Sequence, residues 1–140
     1  GFRGIDWTQV AHDISGRGYA KLPKLIDSNL CSSLKKSYGN EQLFRNRIVM
    51  PWNRQGEYKY LDNPLPPAVA ELRNNPHPPL AAVAIRWIDA LKLAQPFPST
   101  LRVFKKRCHD AGQTRPTPLL PRYSPGDYNC LHRDLYGELA

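Results

Sequence analysis

The chain has 140 residues, of which 41% are hydrophobic and 23% are charged, as is ordinary for a soluble globular domain with one core. Its formal net charge of +8, from 20 Lys and Arg against 12 Asp and Glu, favours binding to a polyanion such as nucleic acid. Because the densest basic run is only Lys105-Lys106-Arg107, we favour a soluble enzyme fragment over a nucleic-acid-binding protein.

The first part of the chain predicts two helices with a short strand between them. A helix of about residues 7–15 has Asp6 in the capping position. Residues 18–23 alternate in polarity and predict a short strand. A second helix follows, with Asp27 or Ser28 as its cap and an apolar face that we expect to pack on a sheet.

Two strands are predicted next, over residues 44–50 and 56–61, from a β-branched run and from alternating polarity. They are placed to pair with each other. The connection between them carries Trp52 among polar and basic residues. This loop either faces a substrate or packs its tryptophan on its own strands, and we favour the packing.

Three helices are then predicted, over residues 68–73, 80–93 and 101–111, with proline or hydroxyl residues at their starts. The middle one has the clearest apolar stripe, and we expect its Trp87 to lie in the core. We expect His109 to face solvent, because it points away from its neighbour on the helix. Helices followed by strands at the end predict an α+β fold.

Strands over residues 119–123 and 128–134 are predicted around a turn at residues 124–127. The second strand carries His132 and Asp134. Residues i and i+2 of a strand share a face and lie about 6.5–7 Å apart, so this imidazole and carboxylate can reach one metal ion. With a second histidine from elsewhere they make the facial triad of non-haem Fe(II) oxygenases. A three-residue pattern is a weak signal by itself, and its surroundings strengthen it.

The cysteines and the lack of long apolar segments indicate the cellular compartment of the protein. Cys31, Cys108 and Cys130 are odd in number and include no Cys-x-x-Cys pair, which argues against a disulfide framework and a structural zinc site. We expect Cys31 to be a small buried side chain. The start shows no signal-peptide pattern, and no stretch approaches the length of a membrane span, so we expect a cytoplasmic protein without a membrane partner.

The end of the chain also resembles a known family. Residues 122–134 follow the pattern Arg-Tyr-x-x-Gly-x-Tyr-x-x-x-His-x-Asp, which resembles the first metal-binding strand of Fe(II)/2-oxoglutarate-dependent dioxygenases of the prolyl-hydroxylase-like group. Residues 18–23, 56–60, 112–120 and 127–138 also fit. Together they resemble a largely uncharacterised bacterial family of such oxygenases, over nearly the whole chain.

The resemblance implies a double-stranded β-helix, a jelly-roll or cupin-like barrel that holds iron near one mouth, with N-terminal helices packed on its first strands. It implies His132 and Asp134 as Fe(II) ligands and Tyr123 and Tyr128 as residues lining the 2-oxoglutarate pocket. 2-Oxoglutarate and O₂ are the implied cosubstrates, and ascorbate is a further candidate. Decarboxylation of the oxoacid to succinate would be coupled to hydroxylation of the substrate.

The resemblance also requires a distal histidine and an Arg or Lys that pairs with the far carboxylate of 2-oxoglutarate. No histidine upstream of His132 stands at a matching position. We therefore expect residues 1–140 to be a single domain, the N-terminal part of an oxygenase, with the remaining strands beyond it. Residues 1–111 would be mainly helical support, and residues 112–140 would form the first metal-binding strands.

The tyrosine spacing departs from the usual Gly-x-x-Tyr-x-x-His pattern of prolyl hydroxylases. In a regular strand Tyr128, Cys130, His132 and Asp134 share one face, which puts the cysteine near the metal as an oxidisable neighbour. A β-bulge would move Tyr128 to the other face.

The sequence leaves three candidate functions of different classes open. The favoured one is an oxygenase that hydroxylates an unknown protein side chain or small molecule. The second is a non-enzymatic basic interaction module or truncated product that binds nucleic acid. The third, which we do not favour from the sequence, is an oxygenase acting on nucleic-acid bases. Arg115, Arg122 and Arg133 are candidates for substrate contacts, but we favour surface ion pairs for each.

Overall fold

The computed structural model of the protein describes residues 1–50 and 55–132. The described part of the chain combines helices with one three-stranded antiparallel sheet. In chain order the elements are α1 (Trp7–Arg17), α2 (Ser28–Ser37), a short 3-10 helix (Glu41–Leu43), β1 (Phe44–Val49), β2 (Glu57–Leu61), α3 (Pro67–Asn74), α4 (His77–Leu91), α5 (Leu101–Asp110) and β3 (Leu119–Arg122). Helices together with strands are what the α+β prediction expects, while a double-stranded β-helix stays a prediction.

The sheet has the order β1-β2-β3, with β2 in the centre. The predicted pairing of the first two strands is confirmed, since β1 and β2 run antiparallel with Val49 opposite Glu57. β3 pairs with the other edge of β2, and Arg122 also lies opposite Glu57. Directly opposed residues share a face, so Glu57 stands between the side chains of two neighbouring strands.

The helix boundaries follow local capping signals. Asp6, Asp27 and Thr100 accept hydrogen bonds from backbone N–H groups three residues later, at 3.0, 2.7 and 3.4 Å. These predicted caps are confirmed. Gly18, in the left-handed region with φ 79°, ends α1, whereas Gly16 lies inside that helix.

Two expectations for the N-terminal part are wrong. Residues 18–23 form no strand, and Lys24 with φ 56° turns the chain toward α2 instead of extending it beside the sheet. Cys31 is exposed. Within α2 the contact with the sheet is made by the segment around Tyr38, at its C-terminal end, so a residue two turns earlier stays in water.

The apolar stripe of α4 is only partly buried. The helix packs against α1 and α3, and its inward residues are Ala81 and Val83, in its first half. Trp87 is 46% exposed and Leu91 is 69% exposed, so the prediction that Trp87 lies in the core is wrong. The packing partners cover the beginning of α4, and helical periodicity cannot tell which turns of an apolar face will be covered.

The buried apolar residues come from the sheet and from the helices. Leu61, at the end of β2, is almost completely buried, and Val10 of α1, Val69 of α3 and Ala81 and Val83 of α4 are buried too. Among the described helices, none is both long enough and apolar enough to cross a bilayer.

Candidate functional site

A buried charge cluster lies on the face of β2 that α2 covers. The Glu57 carboxylate accepts hydrogen bonds from Nε of Arg47 at 2.8 Å and from the Tyr38 hydroxyl at 3.0 Å. It also pairs with Nη2 of Arg47 and, at 2.7 Å, with Nη2 of Arg122. The carboxylate on β2 therefore joins β1, β3 and Tyr38, the residue that follows α2.

The contacts around this carboxylate shift the pKa values of two groups, Glu57 and Tyr38. The pKa of the Glu57 carboxyl lies below its usual 4.5, and the hydrogen bond from Arg47 is the largest cause of this shift. Burial, followed by the hydrogen bond to Glu57, raises the pKa of Tyr38 to about 12. Glu57 is thus anionic and Tyr38 neutral at physiological pH, which is the pairing that the hydrogen bond needs.

Lys59 is the other buried charge on β2, and it is also satisfied. Its Nζ donates to the backbone carbonyl of Tyr38 at 3.0 Å and pairs with the Glu41 carboxylate. The same Nζ lies 4.6 Å from the centroid of the Tyr38 ring. Buried charges are tolerated when they are paired and hydrogen-bonded, so the cluster holds β2, β3 and α2 in one register.

Tyr123 is the first residue after β3, which the cluster joins to β2. The Tyr123 ring lies against Gly56: a Cβ on that glycine would be 2.9 Å from the ring's Cδ1. The tyrosine hydroxyl lies 3.9 Å from Sδ of Met50, at the end of β1. The side chain is 44% exposed, so one side of the ring rests on the sheet and the other is open to a ligand.

The predicted turn after β3 is confirmed. Asp127 donates its backbone N–H to the carbonyl of Ser124 at 2.9 Å, and its carboxylate accepts from the N–H of Ser124 at 2.7 Å. Pro125 followed by Gly126 at φ 95° is the sequence of a type II turn, which needs a positive φ at its third position. The turn directs the following residues back toward β2.

Tyr128, the second tyrosine of the motif, reaches the residue before Gly56. It exchanges two backbone hydrogen bonds with Gln55, at 2.8 and 3.1 Å. The ring of Tyr123 thus lies on Gly56 and the backbone of Tyr128 pairs with Gln55, the two residues that precede β2, and each tyrosine is about half exposed. Their assignment to a 2-oxoglutarate pocket stays a prediction.

His132 has a defined ring orientation. Its Nδ1 lies 2.7 Å from the backbone carbonyl oxygen of Cys130. A carbonyl oxygen only accepts, so Nδ1 carries the donated proton and the lone pair of the neutral ring lies on Nε2. Metal-binding histidines commonly have their second nitrogen held by a carbonyl in this way.

The strand predicted over residues 128–134 is not formed in its described part. Residues 128–132 are joined to β2 through Gln55 but belong to no strand, so the alternation that would place Cys130 beside a metal does not apply to them. Asp134 and Arg133 lie outside the described residues, as does Trp52. The predicted geometry of the His132–Asp134 pair therefore stays a prediction.

Within residues 1–50 and 55–132 there is no group of three or more His, Cys, Asp and Glu side chains that could hold a metal ion. Of the two predicted ligands, only His132 lies in the described part of the chain. Any complete ligand set needs residues outside that part.

Sequence reasoning missed the Glu57 cluster. Its members Arg47 and Arg122 lie far apart in the chain, and only the strand order brings them to one carboxylate. One signal was present: in β2 the charged residues Glu57 and Lys59 occupy the same alternating face as Leu61. Charges on an apolar face indicate buried ion pairs.

Comparison with known proteins relates this chain to a family of oxygenases. Residues 56–140, which include both motif tyrosines and His132, match the Oxygenase-NA family, described as "Oxygenase, catalysing oxidative methylation of damaged DNA". Two proteins of Mycobacterium tuberculosis, Uncharacterized protein Rv2227 of strain ATCC 25618 / H37Rv and Uncharacterized protein MT2286 of strain CDC 1551 / Oshkosh, are each 41% identical to it over 77 residues. Each match covers 55% of this chain and 33% of the relative, so the chain spans about a third of the length of these curated relatives. No solved structure shows significant similarity to it.

Proposed function

The chain belongs to the Oxygenase-NA family of oxygenases, and on that premise we propose that it forms part of an Fe(II)- and 2-oxoglutarate-dependent oxygenase that hydroxylates damaged bases in DNA. The observation that carries the metal assignment is the hydrogen bond from Nδ1 of His132 to the Cys130 carbonyl. A neutral ring that donates from Nδ1 has its lone pair on Nε2, and a lone pair of this kind is what a metal ligand uses.

The donor types fit a ferrous centre. The imidazole of His132 and the carboxylate of Asp134 are two of the three donors of a 2-His-1-carboxylate site. We propose that both bind Fe(II), and that a second histidine from outside the described residues completes the set. The Cys130 carbonyl acts through His132: it fixes which nitrogen is protonated and which way the ring faces.

The tyrosines are proposed to bind the cosubstrate. Tyr123 is half exposed, its ring is fixed on Gly56, and its hydroxyl can donate to a carboxylate of 2-oxoglutarate. We propose that Tyr128, whose backbone pairs with Gln55 and whose side chain is 48% exposed, lines the same site. When bound, Fe(II) and 2-oxoglutarate supply the oxidation in which one atom of O₂ enters a substrate C–H bond and the other enters succinate as CO₂ leaves.

DNA is proposed as the substrate on two grounds. The family description names damaged DNA, and the net charge of +8 favours a polyanion. Enzymes that modify a base act on single strands or on bases turned out of the duplex, so a single-stranded oligonucleotide is a suitable probe.

The test measures iron binding and turnover separately. Fe(II) affinity is determined by anaerobic titration calorimetry for the wild type, His132→Ala and His12→Ala. His12 is an exposed histidine on α1, with its side chain 83% in water, and serves as the matched control. We expect His132→Ala to weaken Fe(II) binding by more than about 100-fold, since changes to groups that merely orient metal ligands already cost about 10–100-fold. The control should bind as the wild type does.

Turnover is followed as succinate formation from 2-oxoglutarate, with Fe(II) and ascorbate, in the presence of methylated or unmodified single-stranded oligonucleotides. Stimulation by the methylated strand alone supports damaged DNA as the substrate. Equal Fe(II) affinity in the wild type and His132→Ala would show that His132 is no ligand. Oligonucleotide binding without any iron binding would favour the non-enzymatic interaction module.

A further inference from the structure

A basic cavity lies apart from the tyrosine and histidine motif. It has a volume of about 280 Å³ and lies between α3, the start of α4, α5 and the segment that leads into β3. The cations that line it are Arg73, Lys105 and Arg115, and two histidines, His77 and His109, also line it. None of the lining residues is an aspartate or a glutamate.

The positive charge of this cavity is not neutralised within the described residues. Arg73, Lys105 and Arg115 form no ion pair there. The nearest carboxylate on α5, that of Asp110, is engaged by Lys106 at 2.6 Å. Three like charges that converge without a carboxylate create a positive potential that attracts an anion.

Two polar atoms in the cavity wall lack partners. Nε of Arg73 and Nε2 of His77 are both buried, and neither has a hydrogen-bond partner in the described part of the chain. Buried polar atoms are nearly always satisfied in native proteins, so each exception needs an explanation. An anionic ligand in the cavity accepts from the arginine and neutralises its charge.

The walls are held by contacts that do not depend on a ligand. The ring of His77 packs against Phe104 with 5.8 Å between centroids, and Phe104 stacks on Phe97 at 5.2 Å. On the opposite side Pro116 is buried, and its carbonyl accepts from both Nε and Nη2 of Arg45 at 3.3 Å. The cavity is therefore a built feature of the fold.

A basic surface continues outward from the cavity along α5. An adjoining hollow shares Arg73, Lys105 and His109 with the cavity and adds Arg102, Lys106 and Asp110, of which the last two pair with each other. Residues three and four apart share one face of a helix, so the cations of α5 form a stripe that leads into the cavity. Evenly spread cations of this kind fit a chain of phosphates better than a single small anion.

We propose that the cavity binds a backbone phosphate of a DNA strand and that the α5 stripe carries the neighbouring phosphates. At about 280 Å³ the cavity is below the range of pockets that enclose drug-sized ligands, roughly 300–1,000 Å³, and suits one phosphodiester entering from the open side. The choice of DNA rests on the proposed function, while the anion site rests on the charges and the orphaned atoms.

The test is binding of a fluorescent single-stranded deoxyoligonucleotide of about 16 nucleotides, at the long end of common single-strand site sizes, without iron or 2-oxoglutarate. The cavity variant is Lys105→Gln/Arg115→Gln, which changes two exposed side chains and leaves the half-buried Arg73 in place. The control is Lys35→Gln/Lys36→Gln, which removes the same charge from exposed positions on α2. Thermal unfolding by circular dichroism verifies that both variants are folded.

Binding weakens as salt rises, so the plot of log association constant against log salt concentration has a negative slope. We expect the cavity variant to make this slope shallower by about 1.4, which is about 0.7 for each of two lost phosphate contacts. Extrapolated from 1 M salt, that slope corresponds to roughly 25-fold weaker binding at 0.1 M salt. The control should stay close to the wild type. The assay contains no metal, so iron binding by His132 is judged independently of it.

Several results would overturn the proposal. Equal weakening in both variants would mean that only net charge matters, and unchanged binding in the cavity variant would remove these residues from the interface. No binding by the wild type would exclude a DNA strand altogether. If inorganic phosphate binds the wild type but not the cavity variant while oligonucleotide binding is equal in both, the cavity is a site for small phosphates and the DNA assignment is wrong.

Discussion

The ring of Tyr123 and the backbone of Gly56 are in direct contact. A Cβ at position 56 would lie 2.9 Å from Cδ1 of the tyrosine and 3.1 Å from the carbonyl oxygen of Arg122. Gly56 also has φ 130°, a conformation that L side chains rarely adopt. The glycine therefore permits both the turn into β2 and the position of the ring that we assign to 2-oxoglutarate.

Gly56→Ala is expected to destabilise the protein by about 1–3 kcal/mol, because the methyl group meets the ring and the backbone is strained. The displaced ring should also weaken 2-oxoglutarate binding. Urea unfolding and titration with 2-oxoglutarate measure the two effects. Gly16→Ala is the control: Gly16 lies inside α1 with open space around it, and alanine there should stabilise by about 0.5–1 kcal/mol. A Gly56→Ala protein as stable as the wild type would contradict the contact.

The Glu57 cluster predicts a specific loss of stability in acid. The folded-state pKa of Glu57 lies below its usual 4.5, so its contribution to stability is fully present above pH 4.5 and is lost as pH falls below that value. Glu57→Gln should lower stability at pH 7 and flatten the dependence of stability on pH below 4.5. The free energy of unfolding at a series of pH values tests this.

The matched control for this titration is Glu71→Gln, which changes an exposed glutamate on α3. It should leave both the stability at pH 7 and the acid profile close to those of the wild type. A Glu57→Gln profile that is parallel to the wild-type profile below pH 4.5 would show that the cluster does not set the titration.

The different burial of two apolar residues predicts different costs of truncation. Leu61 is 1% exposed, so Leu61→Ala should cost about 2–5 kcal/mol through lost burial and a cavity. Trp87 is 46% exposed, so Trp87→Ala should cost only roughly 1 kcal/mol, since much of its apolar surface already lies in water. Chemical denaturation of both variants measures the difference. A loss of stability from Trp87→Ala well above this value would indicate that Trp87 is buried in the core.

Local signals predicted the secondary structure well where neighbours in the chain decide it. The caps at Asp6, Asp27 and Thr100, the pairing of β1 with β2 and the turn before Tyr128 were all readable from short stretches. The failures concern burial and two predicted strands, over residues 18–23 and over the described part of residues 128–134. The sequence pattern that made Trp87 and Cys31 look internal is the same in a covered helix face and in an open one.

The sequence by itself determined the order of helices and strands and the chemical types in the motif: two tyrosines, a histidine and a carboxylate. These depend on capping, periodicity and turn residues, which act over a few positions. Only the tertiary structure decided that Glu57 joins Arg47 to Arg122, that Tyr123 lies on Gly56, and that cations from separate elements line one cavity. Those relationships join residues that are distant in the chain, and packing alone sets which of them meet.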